Sequence, residues 1–492
     1  MDIRELEPRS VWGHFSSICA VPHPSRREEA LAAVIEAWAK DRGFACERDA
    51  AGNLVIRKPA SPGAERAPGV VLQGHLDMVP QAAAGSTHDF LRDPIRAMPD
   101  PADPGWVKAD GTTLGADNGI GLAMGMAIFE EPGFKHGPLE LLCTTNEEDG
   151  MSGAKGLAPS FVRGRILINV DGENEDELTI GCAGSIRSLA KLGRGAEPAP
   201  AGLAWLKIGL GGLLGGHSGV DIDKGRANAC VSLARALAGL AEAGMSLRLA
   251  ALEGGSASNA IPREAFALIG VADEAAAREA LGQAGAALEE RFGAAEPKLR
   301  LTVAAAAAPA YALAPADSAE FCRLVASLPD GLFAMEPAIP GLVRSSSNLG
   351  ILRAAAADGA FRAEILTMVR SSSDLEMERY AAAIEAALDA SAARGWDLER
   401  ARVSSSPAWE PDPSSPLLAT AKSAFKALRG FEPKIVSTHG GLECGVFRPL
   451  FPDMAMISVG PTIQYPHSPD ERVNVASVAR SYKFVKSLVR AD

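Results

Sequence analysis

Three short apolar runs, each closed by an acid or a histidine, constrain this chain more than any other feature. Gly69-Val-Val-Leu-Gln-Gly runs into His75-Leu-Asp77, Leu139–Thr145 leads to Glu147-Glu148, and Ile166–Val170 ends at Asp171. Apolar runs of this length, bounded by turn residues, read as strands buried on both faces of a sheet. A helix candidate over 119–131 lies between the first two runs, and the run Glu28–Arg42 repeats Leu31, Ile35 and Trp38 at helical spacing. Ser25-Arg-Arg-Glu28 in front of it has the form of a capping box. Strands alternating with helices predict an α/β layer, and open α/β sheets place ligands at the carboxyl ends of their strands.

The chain has 492 residues, too many for one ordinary core, so two or three domains are expected. After about residue 187 the pattern changes to an Ala- and Gly-rich region with helix-like runs, Ala227–Ala243 and Glu274–Arg291, among strand-like pieces, Ala204–Leu210 and Arg362–Val369. The proline-rich stretch 404–416 reads as a return linker. From Leu417 a helix, a short strand and a closing helix near Val475–Val489 follow. Two segments of similar character thus flank a long insertion. Within it, Val343-Arg-Ser-Ser-Ser347 echoes Val369-Arg-Ser-Ser-Ser373, too short a match to be a repeat.

With 49 basic and 61 acidic residues the net charge is −12, which repels phosphate backbones and anionic lipid. Neither nucleic acid nor a membrane is expected as partner. The charged N-terminus lacks a signal-peptide run, and the uncharged stretch 301–316 is too short to span a bilayer, so a soluble cytoplasmic chain is expected. The 7 cysteines are scattered without a C-x-x-C pair, which fits neither a disulfide framework nor a thiolate zinc site. Any metal here must be held by histidine and carboxylate.

The candidate chemistry lies at the strand ends. In a strand His75 and Asp77 share a face, and a metal-binding imidazole commonly gives its second N–H to a carboxylate, the role open to Asp77. Asp117, in Gly115-Ala-Asp-Asn-Gly119, is either a helix cap or a carboxylate turned into a cleft by its flanking glycines. Glu147-Glu148 is either a solvated loop or a division of labour, one carboxylate on a metal and the other on its water. Asp171 ends a buried strand, and the proline-framed His467 is by itself a turn residue. Together, two histidines and three carboxylates suit two zinc ions sharing one carboxylate, a hydrolytic rather than a structural site. Motifs for phosphate loops, dinucleotide binding, a serine elbow and H-E-x-x-H are absent.

The runs Leu72-Gln-Gly-His-Leu-Asp-Met-Val-Pro80, Gly115-Ala-Asp-Asn-Gly119, Asn146-Glu-Glu-Asp-Gly150 and Asn169-Val-Asp171 resemble the zinc peptidases of the M20 family. Gly215-Gly-His-Ser-Gly219, Asn259-Ala-Ile-Pro-Arg-Glu-Ala265, Gly441-Leu-Glu-Cys-Gly445 and Pro466-His-Ser-Pro-Asp470 are similar to its aminoacyl-histidine dipeptidase branch. The likeness spans about residues 5–488. It implies an α/β fold: a zinc-peptidase-like catalytic domain, with a mixed central sheet flanked by helices, and an inserted α+β lid domain. The catalytic domain would comprise 1–187 and 403–492, and the lid 188–402. The resemblance further implies two Zn²⁺ per chain, with Co²⁺ or Mn²⁺ as substitutes. His75 and Asp171 would hold one ion, Glu148 and His467 the other, and Asp117 would bridge. Asp77 would orient His75, and Glu147 would be the general base. In the lid, His217 would steady the scissile carbonyl, Asn259 and Arg370 would contact the substrate, and Glu443 would meet its ammonium. Arg370 rather than Arg344 is taken as the lid arginine. Asp149, where relatives have a small residue, would add negative charge beside the metals.

The activity implied is hydrolysis of dipeptides with a free N-terminus, Xaa-His such as β-alanyl-histidine, by a homodimer joined through the lid. The alternatives are an M20-type amidase or deacylase of N-acyl amino acids and a non-catalytic peptide-binding relative.

Overall fold

The computed structural model describes residues 2–337 and 339–491. They form two compact units. The first comprises the chain through Cys182, then Trp409–Ser437, and then Leu442 onward; the second comprises Ala183–Ala408 and Thr438–Gly441.

The first unit is built on an eight-stranded sheet of β1 (Ala45–Arg48), β2 (Leu54–Lys58), β3 (Val70–His75), β4 (Leu139–Thr144), β5 (Ile166–Asn169), β6 (Glu177–Cys182), β7 (Lys434–Thr438) and β8 (Ala455–Ser458), in the order β1-β2-β4-β3-β5-β8-β6-β7. β4, β3, β5 and β8 run parallel, with antiparallel strands outside them, so the sheet is mixed. Every residue of β3 and β4 is buried, as expected of strands covered on both faces. Chain order reverses about β3, and such a switch point opens a crevice at the strand ends.

The helix Ala116–Glu130 (α1) is apolar all round, and every residue from Asn118 to Phe129 is buried. Such a helix can sit only in the interior. Glycine makes the fit: a Cβ on Gly121 would lie 2.4 Å from the Val170 carbonyl oxygen, and one on Gly74 would lie 2.1 Å from Asn118 Oδ1. The helix therefore presses on β3 and β5 near where both strands end.

The second unit is a nine-stranded antiparallel sheet whose longest members, Val343–Ala357, Ala360–Ser371 and Gly184–Gly195, are neighbours. Four helices, Ala229–Glu242, Glu274–Phe292, Pro315–Ser327 and Asp374–Ala392, bury their apolar stripes in one core with the sheet. Phe321 and Phe361 meet there edge to face at 5.0 Å, and Trp396 closes on both.

The local readings hold for most elements and fail where distant partners decide. The change of unit falls at 182/183 and 408/409, where composition suggested 187/188 and 402/403. The reason is that Gly184–Gly195 pairs along its length with both Ala360–Ser371 and Asp397–Ser406. Ser404–Ser406, read as linker, thus ends a strand. The capping box does not form: the helix Glu29–Asp41 has no side-chain cap. The Glu28 carboxylate instead accepts from Arg26 N at 2.8 Å and from Asn146 N at 3.0 Å. Among the described residues no helix is long and apolar enough to cross a membrane.

Gly74→Ala is expected to destabilise the chain by about 1–3 kcal/mol, because Asn118 must move. Gly239, exposed inside a helix with nothing within 4 Å of an added Cβ, is the contrast: Gly239→Ala should stabilise by about 0.5–1 kcal/mol. Chemical denaturation of both variants checks the pair.

Candidate metal centre

His75 ends β3 and is 1% exposed. Its Nδ1 lies 3.0 Å from the main-chain oxygen of Asp77. A carbonyl only accepts, so Nδ1 carries a proton, and Nε2 is the nitrogen turned toward the crevice. Nε2 lies 3.0 Å from Asp117 Oδ1 and 3.3 Å from Asp171 Oδ1. From the loop after β8, His467 Nε2 lies 3.1 Å from Asp117 Oδ2 and 3.0 Å from Glu148 Oε1. Asp117 thus offers one oxygen to each of two trios: His75 and Asp171 on one side, His467 and Glu148 on the other.

These spacings fit a pair of small cations. Ligand atoms about 2.0–2.1 Å from one tetrahedral ion stand about 3.3 Å apart. Asp171 Oδ1 and Glu148 Oε1 are buried and face the imidazole nitrogens of His75 at 3.3 Å and His467 at 3.0 Å, so the possible ligands are imidazole and carboxylate only.

The electrostatics agree. Burial pushes Glu147 and Asp171 well above the carboxylate range, and neighbouring acids push further: Asp171 on Glu147, and Asp117 on Asp171. Burial likewise raises Glu148. Asp117 is also buried, yet hydrogen bonds from His467 and His75 hold it low. Burial opposes charging His75, but Asp171 and Asp117 facing it keep it well above the imidazole range. Hydrogen bonds to Asp117 and Glu148 lift His467 to about 11. Crowded acids that raise the proton affinity of two histidines mark a site short of positive charge.

The acidic pair is aimed by its backbone. Asp77 Oδ1 accepts from Glu147 N at 2.9 Å and Oδ2 from Glu148 N at 3.2 Å. Asp77 thus meets both neighbours: its carbonyl and, at 3.4 Å, its carboxylate face His75 Nδ1, and the same carboxylate holds the loop of Glu147. Asp149 does not load charge onto the site, because its Oδ2 pairs with Arg26 Nε at 2.6 Å on the surface. Glu443 is fully buried at the start of the helix Glu443–Leu450, where Oε2 accepts from Gln73 Nε2 at 2.6 Å and Thr144 Oγ1 at 2.7 Å. Burial pushes it up to about 7. Its Oε2 is thus engaged by the ends of two sheet strands.

The second unit gathers the remaining residues. Arg370 is 8% exposed, donates from Nη1 to the His439 carbonyl at 3.3 Å, and leaves Nε without a hydrogen bond. No described carboxylate forms an ion pair with it, and burial lowers it to about 10. Arg344, its echo, is paired with Glu336 at 2.6 Å and Glu376 at 2.8 Å. The two Val-Arg-Ser-Ser-Ser stretches lie on adjacent antiparallel strands, with Ser346 opposite Arg370, and only one arginine is left to bind an anion. His217 Nδ1 accepts from Gly219 N at 3.2 Å, so Nε2 carries the proton and is a donor. Asn259 is its neighbour: the Asn259 carbonyl accepts from Ser218 N at 2.8 Å, and His217 pairs with Ala260. Glu296 closes the base of the His217 loop, accepting from Leu214 N at 2.7 Å and Ala227 N at 3.2 Å.

Four supporting residues escaped the sequence: Glu28, Glu296, His439 and Glu471. Each acts on backbone or side chains far away in the chain, and the one local signal, the capping-box spacing of Glu28, points elsewhere. His439 Nε2 lies 2.8 Å from Ser346 Oγ.

The family model described as Peptidase family M20/M25/M40 matches residues 71–491. The chain is 40% identical over 491 residues to the cytosol non-specific dipeptidase of Escherichia coli (strain K12), covering 99% of both chains. It is also similar to the crystal structure of aminoacylhistidine dipeptidase from Vibrio alginolyticus, with a TM-score of 0.90, 38% identity, and coverage of 99% of this chain and 98% of the other. The aminopeptidase PepT of Bacillus cereus shares the fold, with a TM-score of 0.63 at 15% identity and coverage of 98% of each chain.

Buried His439 supplies a prediction. Burial, and then the charge of Arg370, lower its ring to about 3, whereas an unfolded chain takes up this proton near pH 6.5. Between these limits the unfolded state binds more protons, so stability falls as pH drops through the window. His439→Gln, which can still bond Ser346, should flatten that fall; denaturation midpoints of both proteins at about pH 7.5 and about pH 5 check it.

Proposed function

The chain belongs to peptidase family M20/M25/M40, and we propose that it is a metal-dependent dipeptidase carrying two zinc ions, with cobalt or manganese as substitutes. The observation that carries this reading is the double trio meeting at Asp117, with one oxygen 3.0 Å from His75 and the other 3.1 Å from His467. His75 and Asp171 would hold one ion, Glu148 and His467 the second, and Asp117 both. Ions bound there supply a water of lowered pKa and polarise the scissile carbonyl.

Glu147 follows that chemistry. It neighbours the ligand Glu148 but belongs to neither trio, and Asp77 fixes its main chain. As general base it takes a proton from the attacking water and returns it to the leaving amine. Burial, by raising its proton affinity, favours both transfers at neutral pH. His217, presenting an N–H, is the proposed donor to the developing oxyanion, and Asn259 and the unpaired Arg370 are the proposed contacts of the substrate, Arg370 suiting its carboxylate. The similarity to two named dipeptidases along nearly the whole chain favours a dipeptide with a free N-terminus, of Xaa-His type such as β-alanyl-histidine. A homodimer in the cytoplasm is the proposed setting, the latter in keeping with the name of the Escherichia coli relative.

Initial rates on β-alanyl-histidine, for chelator-stripped and zinc-reconstituted protein, test the reading: hydrolysis should vanish on stripping and return with zinc. Hydrolysis of N-acyl amino acids alone would instead mark a deacylase. Glu147→Ala should lose about 10²–10⁴-fold in kcat with unchanged zinc content. Turnover within about tenfold of the parent would remove Glu147 from the role.

A further inference from the structure

Asp117 can serve both trios only if its carboxylate is held between them, and its own segment does not hold it. Gly115, before α1, is at φ +69° with no side-chain cap, and the backbone at Asp117 and Asn118 departs from helical angles. A helix start leaves several N–H groups without partners, and a nearby Ser, Thr, Asp or Asn commonly supplies an acceptor. Here the acceptor arrives from the far end of the chain. Glu471 Oε2 accepts from Leu114 N at 2.7 Å and Gly115 N at 3.0 Å, while Oε1 accepts from Ala116 N at 2.8 Å and Asp117 N at 3.2 Å. One carboxylate, 2% exposed, thus binds four consecutive backbone donors.

Glu471 is itself fixed. Its N–H donates to the Ser468 carbonyl at 3.0 Å, and the following strand Arg472–Asn474 pairs with Trp106–Ala109. The same loop carries His467, at φ +59°. A single side chain therefore ties the loop of His467 to the loop of Asp117.

We propose that Glu471 is a positioning residue that sets the direction of the Asp117 carboxylate and thereby the affinity of the centre for its metal. This rests on the metal-centre reading above. Its carboxylate accepts all four N–H groups because both oxygens are acceptors; a glutamine would turn an NH₂ toward two of them. Glu140 is the control. It too is a buried carboxylate in this unit, 4% exposed, accepting from Arg163 N and Gly164 N, both at 2.8 Å, and it has no bond to a proposed ligand.

The test uses the full-length chain, stripped of metal, with zinc binding by calorimetry and melting of the apo protein as paired readouts. Glu471→Gln should weaken zinc binding about 10–100-fold and lower kcat with KM little changed. Glu140→Gln should lower the melting temperature comparably and leave zinc affinity within about twofold of the parent. Zinc affinity of Glu471→Gln equal to the parent's, whatever its melting temperature, overturns the proposal. Should that variant not fold, Glu471→Asp keeps the charge but is one methylene short; parental zinc affinity in it overturns the proposal equally, and weakened affinity supports it. Calorimetry needs no substrate, so this outcome is separate from the dipeptide assay; parent protein that binds no zinc removes the centre itself and the proposal with it.

Discussion

Like charges packed into a dry crevice govern this molecule. Asp77, Asp117, Glu147, Glu148 and Asp171 converge where three adjacent parallel strands end. Carboxylates in such a place repel one another and lose hydration together, which is why burial and neighbours raise the proton affinity of Glu147 and Asp171. Two imidazoles answer part of the imbalance. The remainder is a standing demand for cations, and glycines let α1 press against the strand ends where the acids meet.

Holding repelling groups in place requires anchors, and the anchors are further buried carboxylates aimed at backbone N–H groups. Asp77 grips the acidic pair, Glu28 the residue before it, Glu471 the Asp117 turn, and Glu296 the base of the His217 loop. A hydrogen bond to a charged acceptor is worth about 1.5–3 kcal/mol, enough to fix a loop that has little apolar surface of its own. Loops held this way are ready for chemistry before any substrate arrives, the condition for electrostatic catalysis.

How much of this was readable in the residues follows from the range of each interaction. The strand ends were visible because apolar runs and the residues closing them are contiguous; His75, Glu148 and Asp171 stood out there as candidates, and the resemblance gave them their roles. The clamps were not: Glu471 and Leu114 are 357 positions apart, and no window of sequence contains both. Glu28 illustrates the failure. Its spacing from Ser25 imitates a local cap, but Asn146 N was the better partner. Glu443, expected beside the substrate ammonium from its glycine-rich motif, is buried with Oε2 bound by Gln73 and Thr144. The Val-Arg-Ser-Ser-Ser pair carries identical letters with opposite fates, since Glu336 and Glu376 neutralise Arg344 while nothing described does so for Arg370. Local patterns locate the ligands; tertiary neighbours decide which charges stay free.

The strand order of the first sheet also bears on how the chain is made. β8 lies between β5 and β6, yet it is encoded after the whole second unit. A ribosome adding about 5–20 residues each second must finish nearly all of the second unit before β8 emerges. Until then β5 and β6 have an open gap between them, and the backbone groups facing that gap are a template for stray strands. The inserted unit can bury its core early, whereas the first sheet stays unclosed until β8 follows it. The acids at the ends of its central strands therefore meet the loop of His467 only after the second unit has been made.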